Sequence, residues 1–168
     1  LSYTAGLNGS LTGTALQALN CGASGTAVSA DANPNYHFVD WSDASTVNPR
    51  TDTNVTADIT VTANFTIDTR VLTYTAGTGG TLEGTAEQVV TIGLSGTPVT
   101  AIADFGYSFV KWSDDSVDKV RIDMDVTEDI TVEAEFVAGI TYTIDYTAGA
   151  NGSITGSLAL IVEAGKKC

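Results

Sequence analysis

The chain has 168 residues, room for one domain or two small ones, and its 7 Lys and Arg face 20 Asp and Glu for a formal net charge of −13. A field of that sign repels phosphate backbones and anionic lipid headgroups, which argues against nucleic acid and membrane surfaces as partners. Abundant Thr and Ser with Val, Ile and Tyr suit half-exposed strands, and two cysteines, Cys21 and Cys168, provide neither a disulfide framework nor metal-type spacing.

Leu1 lacks an initiator Met and lies inside a strand-like segment, so it reads as a processing or excision point. No charged-then-apolar leader precedes it, and the longest apolar stretch, 158–162, is far too short to span a bilayer. Tyr3-Thr4-Ala5-Gly6 then recurs as Tyr74-Thr75-Ala76-Gly77, about 71 positions on, and again as Tyr146-Thr147-Ala148-Gly149. Between the first two copies the match runs without a gap to Phe65 and Phe136. It includes Gln17 with Gln88, Ser24-Gly25-Thr26 with Ser95-Gly96-Thr97, and Asp58-Ile59-Thr60-Val61 with Asp129-Ile130-Thr131-Val132. The organisation expected is a first module over 1–66, a second over 72–137, and a partial third over 143–168 that supplies only its first hairpin. The connectors 66–71 and 137–143 are short and lack Pro or Gly-Ser tracts, so the modules should be close-coupled, a stiff string of beads.

Within a copy, Asn8-Gly9, Gly79-Gly80 and Asn151-Gly152 are primed-turn signals expected to close the first hairpin. In the second copy, strands are predicted near 71–75, 81–90, 98–103 and 107–112, while 15–20 in the first has room for one helical turn. Val120, Ile122, Met124 and Val126 alternate with Arg121, Asp123 and Asp125, the pattern of a half-buried strand. Ile130, Val132, Ala134 and Phe136 alternate likewise, and Thr127-Glu128-Asp129 has the length of a hairpin connection between the two runs. The first alternation weakens over 49–55, which predicts a frayed or absent strand in the first copy. No segment sustains a helical period, so the fold class is all-β, small tandem domains with little or no helix. Tyr36, Phe38, Trp41 and Phe65, with their counterparts Tyr107, Phe109, Trp112 and Phe136, are the large side chains expected to build each core.

Three motifs now stand in order at fixed spacing in both copies: Gly-Thr-x-Val-x-Ala at Gly25 and Gly96, Tyr-x-Phe-Val-x-Trp-Ser-Asp at Tyr36 and Tyr107, and Asp-Ile-Thr-Val-x-Ala-x-Phe at Asp58 and Asp129. With them the chain resembles the divergent internalin-B-type B-repeat family over nearly its whole length. The resemblance implies a β-grasp-like fold, tandem display on a bacterial cell surface or in a secreted protein, and a spacing or adhesive role with no catalytic residues to carry over.

Chemistry is sparse. The single histidine, His37, matches Ser108, which removes a repeated imidazole site and leaves an exposed strand residue. Lys111 matches Asp40, and no phosphate loop, nucleophile elbow or zinc-protease motif occurs, so neither an enzyme nor a cofactor is expected. Asp114, Asp115, Asp118, Asp123 and Asp125 are weak calcium candidates, because Asp123 and Asp125 alternate along a strand and point outward together without closing a loop of oxygens. Arg50 and Arg121, the sole repeated cations, are expected to pair with Asp43 and Asp114 or a neighbouring carboxylate. A Lys–Asn cross-link lacks repeated partners. A Cys21–Gln17 thioester is disfavoured against a buried apolar Cys21, since the next copy has Ile92 there. Asn8, Asn54, Asn64 and Asn151 lie in glycosylation sequons.

The function expected is a structural spacer region of an extracellular, cell-surface adhesin-like protein, whose partners are neighbouring repeats of the same protein. The rivals are an extracellular filament subunit, joined to other copies through sheet edges, and a carbohydrate-binding module, which needs paired exposed aromatics. The third copy stops at Cys168 before its Tyr-Phe-Trp segment. The preferred expectation is that the parent protein continues and the segment from about 143 frays; a true terminus would instead call for completion by a neighbouring molecule.

Overall fold

Residues 1–156 and 159–163 are described by a computed structural model. No helix occurs among them, and the chain divides into two units, Leu1–Thr69 and Arg70–Cys168. The first unit carries β1 (Ser2–Ala5), β2 (Gly9–Thr12), β3 (Ser29–Ala32), β4 (Tyr36–Trp41) and β5 (Thr60–Ile67). The second repeats the plan with β6 (Thr69–Ala76), β7 (Gly80–Gly84), β8 (Glu87–Thr91), β9 (Val99–Ala103), β10 (Tyr107–Trp112), β11 (Val120–Arg121) and β12 (Ile130–Ala138), followed by β13 (Thr141–Asp145) and β14 (Ala159–Glu163).

Each repeat copy folds as two small sheets, and in the second unit β13 and β14 form a further two-stranded one. In the second, one sheet has the order β10-β12-β6-β8 and the other β11-β9-β7; in the first, β1-β5-β4 and β2-β3 correspond. The strands missing from the first unit persist as single bridges, Ser2 with Leu16 and Val28 with Arg50. Thus 15–20 holds a bridge rather than a helical turn, and 49–55 is nearly strandless. The all-β class is observed directly.

Four hairpins read from sequence are corrected, the one at Gly79-Gly80 because β6 pairs with β12 while β7 pairs with β9. The turn at Asn8 is present, with φ 70° at Asn8, yet β1 pairs in parallel with β5 while β2 pairs with β3. Turn chemistry specifies a reversal, but the apolar faces on either side belong to different sheets, so the chain crosses between layers instead of closing a ladder. Thr127-Glu128-Asp129 likewise joins no hairpin, because β11 pairs with β9 and β12 lies between β10 and β6. In the third segment β13 pairs with β14, from Thr141 with Glu163 to Asp145 with Ala159, and Asn151-Gly152 sits within the long connection. The expected 81–90 strand is two strands, since Gly84 takes φ +111° and turns the chain. The predicted connectors shrink: only Asp68 separates β5 from β6, and Gly139-Ile140 separates β12 from β13.

The core of each unit draws on both sheets. Tyr3, Val28, Ala30, Trp41, Val61 and Ala63 are buried in the first, with Phe38 and Phe65 packed against them. Leu72, Tyr74, Val90, Val99, Ala101, Trp112, Val126, Val132 and Ala134 form the second, flanked by Phe109 and Phe136. Tyr36 and Tyr107 fall outside both clusters and are half-buried. They open β4 and β10 at the rim, where the Tyr107 ring lies so close to Gly79 that a Cβ there would sit 2.1 Å from Cδ1.

Gly80 is required for a related reason: its Cβ would come 2.2 Å from Phe136 Cζ. Gly80→Ala is therefore expected to cost about 1–3 kcal/mol, as overpacking does. The urea midpoint of the second unit should fall while that of the first stays; an unchanged midpoint would show that Phe136 can retreat freely.

Candidate functional site

Each unit encloses one polar constellation, assembled from the ends of its strands around the tryptophan. Trp41 ends β4 and Trp112 ends β10, both fully buried. The chain then curls back so that the Trp41 Nε1–H donates to Val47 O at 3.0 Å and the Trp112 Nε1–H to Asp118 O at 2.9 Å. Over each indole lies a guanidinium, Arg50 at 5.7 Å and Arg121 at 5.8 Å from the ring centroid. Tyr3 and Tyr74 meet the tryptophans edge-on at 5.8 and 6.1 Å.

The arginines are saturated. Arg50 donates through Nε and Nη2 to the two oxygens of Asp52, each 2.8 Å, and through Nη1 to Asp43 at 2.8 Å. Arg121 repeats this fork on Asp123 at 2.8 and 2.6 Å and reaches Asp114 at 2.6 Å. Tyr3 Oη donates to Asp52 and Tyr74 Oη to Asp123, both at 2.7 Å. Nearby, the buried Gln17 amide donates to Thr14 O and Thr26 O and accepts from the Thr26 N–H, and Gln88 does the same with Thr85 and Thr97. Among the described residues no buried side-chain polar atom lacks a partner.

This arrangement overturns the predicted half-buried strand at 120–126. Arg121 and Asp123 face inward, whereas Val120, Ile122 and Met124 are exposed, and only Val126 of the apolar set is buried. Stacking on Trp112, two carboxylates and a phenol hold the cation in the interior.

The calcium candidates are thereby separated. Asp114 and Asp123 bind Arg121, Asp115 accepts from Lys111 at 2.6 Å, Asp118 uses its carbonyl for Trp112, and Asp125 is exposed. Among the described residues no three His, Cys, Asp or Glu side chains are grouped to hold a metal ion. Cys21 is exposed, not buried, because it occupies a turn in which Ala23 N–H donates to Asn20 O. His37 is exposed on β4 and meets Asp68 at 2.7 Å. Cys168 lies outside the described residues.

Electrostatics follow from this wiring. The Arg50 hydrogen bonds hold the Asp43 and Asp52 carboxyls below the usual range, more than offsetting their desolvation. Burial pushes Asp114 up, but its Arg121 and Ser116 hydrogen bonds outweigh that and leave it lowered. Burial, then the bond to Asp52, raises Tyr3 to about 12; burial, then the bond to Asp123, raises Tyr74. The lowered carboxylates stabilise the fold above their unfolded value of about 4 and lose that contribution as pH falls through their folded values. The neutral phenols stabilise below about 10, and the Tyr3 share disappears as pH climbs toward about 12. Urea midpoints should therefore drop at both extremes, and absorbance titration should show two of the six tyrosines ionising late. A late phase of the titration left unchanged by Tyr3→Phe and by Tyr74→Phe would refute the wiring.

Compared with known proteins, a family model described as the divergent InlB B-repeat domain matches residues 1–69 and again residues 70–140. No curated protein and no solved structure matches.

Proposed function

The chain belongs to the divergent InlB B-repeat domain family, and from that premise we propose that it is a spacer region of a secreted or surface-displayed adhesin-like protein, holding other domains at a distance. InlB-type B-repeats are typical of bacterial surface proteins, which supports an extracellular, cell-surface location. The observation that carries the reading is the one-residue joint: β5 passes through Asp68 straight into β6, so consecutive modules are joined strand to strand. A non-catalytic role without cofactor belongs to the proposal, supported by polar networks whose donors and acceptors satisfy one another. So does the absence of nucleic-acid and membrane partners, supported by the charge of −13, whose field repels phosphate backbones and anionic headgroups. Small-angle scattering of the chain and of a variant with a Gly-Ser tract inserted after Asp68 tests it. A spacer should show a broader distribution of dimensions after insertion; identical distributions would count against a coupled joint.

A second reading, a filament subunit joined by strand addition, is favoured by one observation. Ile144 and Tyr146 are 40% and 47% exposed, although they match Leu72 and Tyr74, which are 0% and 2% exposed. Sedimentation over a wide concentration range separates the two: mass growing with concentration supports the filament, and a constant monomer the spacer. The carbohydrate reading has neither tryptophan available, since both are buried, and would rest on the exposed Tyr142 and Tyr146.

A further inference from the structure

The first and last strands of each module are direct neighbours and run parallel. In the first, β1 and β5 pair from Ser2 with Thr60 to Ala5 with Ala63, extended by Ser2 N–H to Ile59 O at 2.8 Å and Gly6 N–H to Ala63 O at 2.9 Å. In the second, β6 and β12 pair from Leu72 with Ile130 to Ala76 with Ala134, extended by Val71 N–H to Asp129 Oδ1 at 2.8 Å and Gly77 N–H to Ala134 O at 2.9 Å. Thr4 Oγ1 and Thr62 Oγ1 add a cross-strand bond at 2.7 Å.

Parallel pairing has a mechanical consequence. Tension on the chain pulls the first strand backward at its N-terminal end and the last strand forward at its C-terminal end. Because the two run in the same direction, they are drawn past each other along their common axis, and every bond of the ladder is loaded at once. An antiparallel pair joined by a hairpin has both ends on one side and opens bond by bond. The side chains beside the ladder strengthen the resistance to sliding: Tyr3, Val61 and Ala63 in one unit, and Leu72, Tyr74, Val132 and Ala134 in the other, are buried in the core, so slippage would drag them out of their packing. The last strand of the first module passes into the first strand of the second through Asp68 alone, so load leaving one ladder reaches the next without a slack linker.

We propose that each module is a shear-loaded tension element, with β1–β5 and β6–β12 as its force-bearing ladders. This goes beyond spacing, since a spacer need only be extended, whereas a tension element must also resist extension. The occupant of the role is the ladder itself, and no ligand is required.

Single-molecule force spectroscopy on the full chain, with Cys21→Ser and Cys168→Ser to remove the native thiols, tests it. Handles at Thr69→Cys and Ala138→Cys load the β6–β12 ladder in shear; handles at Thr69→Cys and Glu128→Cys, both at one end of that ladder, peel it. The shear pair should rupture at severalfold higher force at the same loading rate, each rupture releasing roughly 3.4 Å of contour per residue freed. Equal or lower force in shear would overturn the proposal. If a cysteine in the second unit disturbs folding, the first unit supplies an independent comparison, with the Leu1 amine against Asp68→Cys for shear and against Asp58→Cys for peeling. A normal force contrast with failed scattering would remove the spacing role and leave the tension element standing.

Discussion

Trp112→Ala is expected to cost about 3–5 kcal/mol, the range for removing a large aromatic from a core. The side chain is fully buried, its ring meets Tyr74 at 6.1 Å and Phe109 at 6.0 Å, and its indole N–H closes the loop through Asp118 O. Its loss also strips the surface on which Arg121 lies, 5.8 Å from the ring centroid, so a cation held inward by stacking would face a void. Such a loss is a large share of the roughly 5–15 kcal/mol that stabilises a domain. Two transitions should therefore separate in urea, the second unit unfolding early and the first, monitored by Trp41 fluorescence, remaining near its original midpoint. A cost below about 1 kcal/mol would place Trp112 outside the core, contrary to its burial. A matching shift of the Trp41 transition would show instead that the two units do not unfold independently.

Much of this interior was legible because the chain carries its own comparison. The Tyr-x-Phe-Val-x-Trp segment and the Ile-x-Val-x-Ala-x-Phe segment each form a strand of both units, β4 with β10 and β5 with β12. The inward-facing Arg and Asp were hidden because local alternation looked decisive: Val120, Ile122 and Met124 make an apolar stripe that a period-2 reading turns inward. The repeat held the contrary signal. Those three positions are Pro49, Thr51 and Thr53 in the first copy, whereas Arg50 and Arg121, and Asp52 and Asp123, agree. A face whose apolar character changes between copies is not the face both cores are built on. Tyr3 and Tyr74 were visible as repeat markers but not as core residues, since nothing local says that a phenol will cap a buried ion pair. The first hairpin misled for another reason. Asn8-Gly9 specifies a reversal, while β1 finds its partner β5 about 58 residues on and β2 pairs instead with β3, information that no window of turn chemistry contains.

Arg121→Leu is expected to destabilise the second unit by about 3–5 kcal/mol, the cost of breaking a buried ion pair from one side. The side chain of Asp123 is only 12% exposed, so removing its fork of two charge-assisted bonds leaves a carboxylate with the Tyr74 hydroxyl as its remaining side-chain partner. Asp114, at 41%, can turn to water and should contribute less. If an uncompensated charge causes the loss, the damage must be largely reversible without restoring the arginine. Adding Asp123→Leu to Arg121→Leu removes the stranded charge, and adding Tyr74→Phe removes the phenol left without an acceptor. The triple variant should thus be more stable than Arg121→Leu alone, and the double-mutant cycle should report a coupling of about 0.5–3 kcal/mol between Arg121 and Asp123. The acid response should change with it, since without Arg121 the Asp114 carboxyl loses a hydrogen bond that holds it below its usual range. Additive losses across the cycle would assign the arginine's role to its packing over Trp112 and not to its charge.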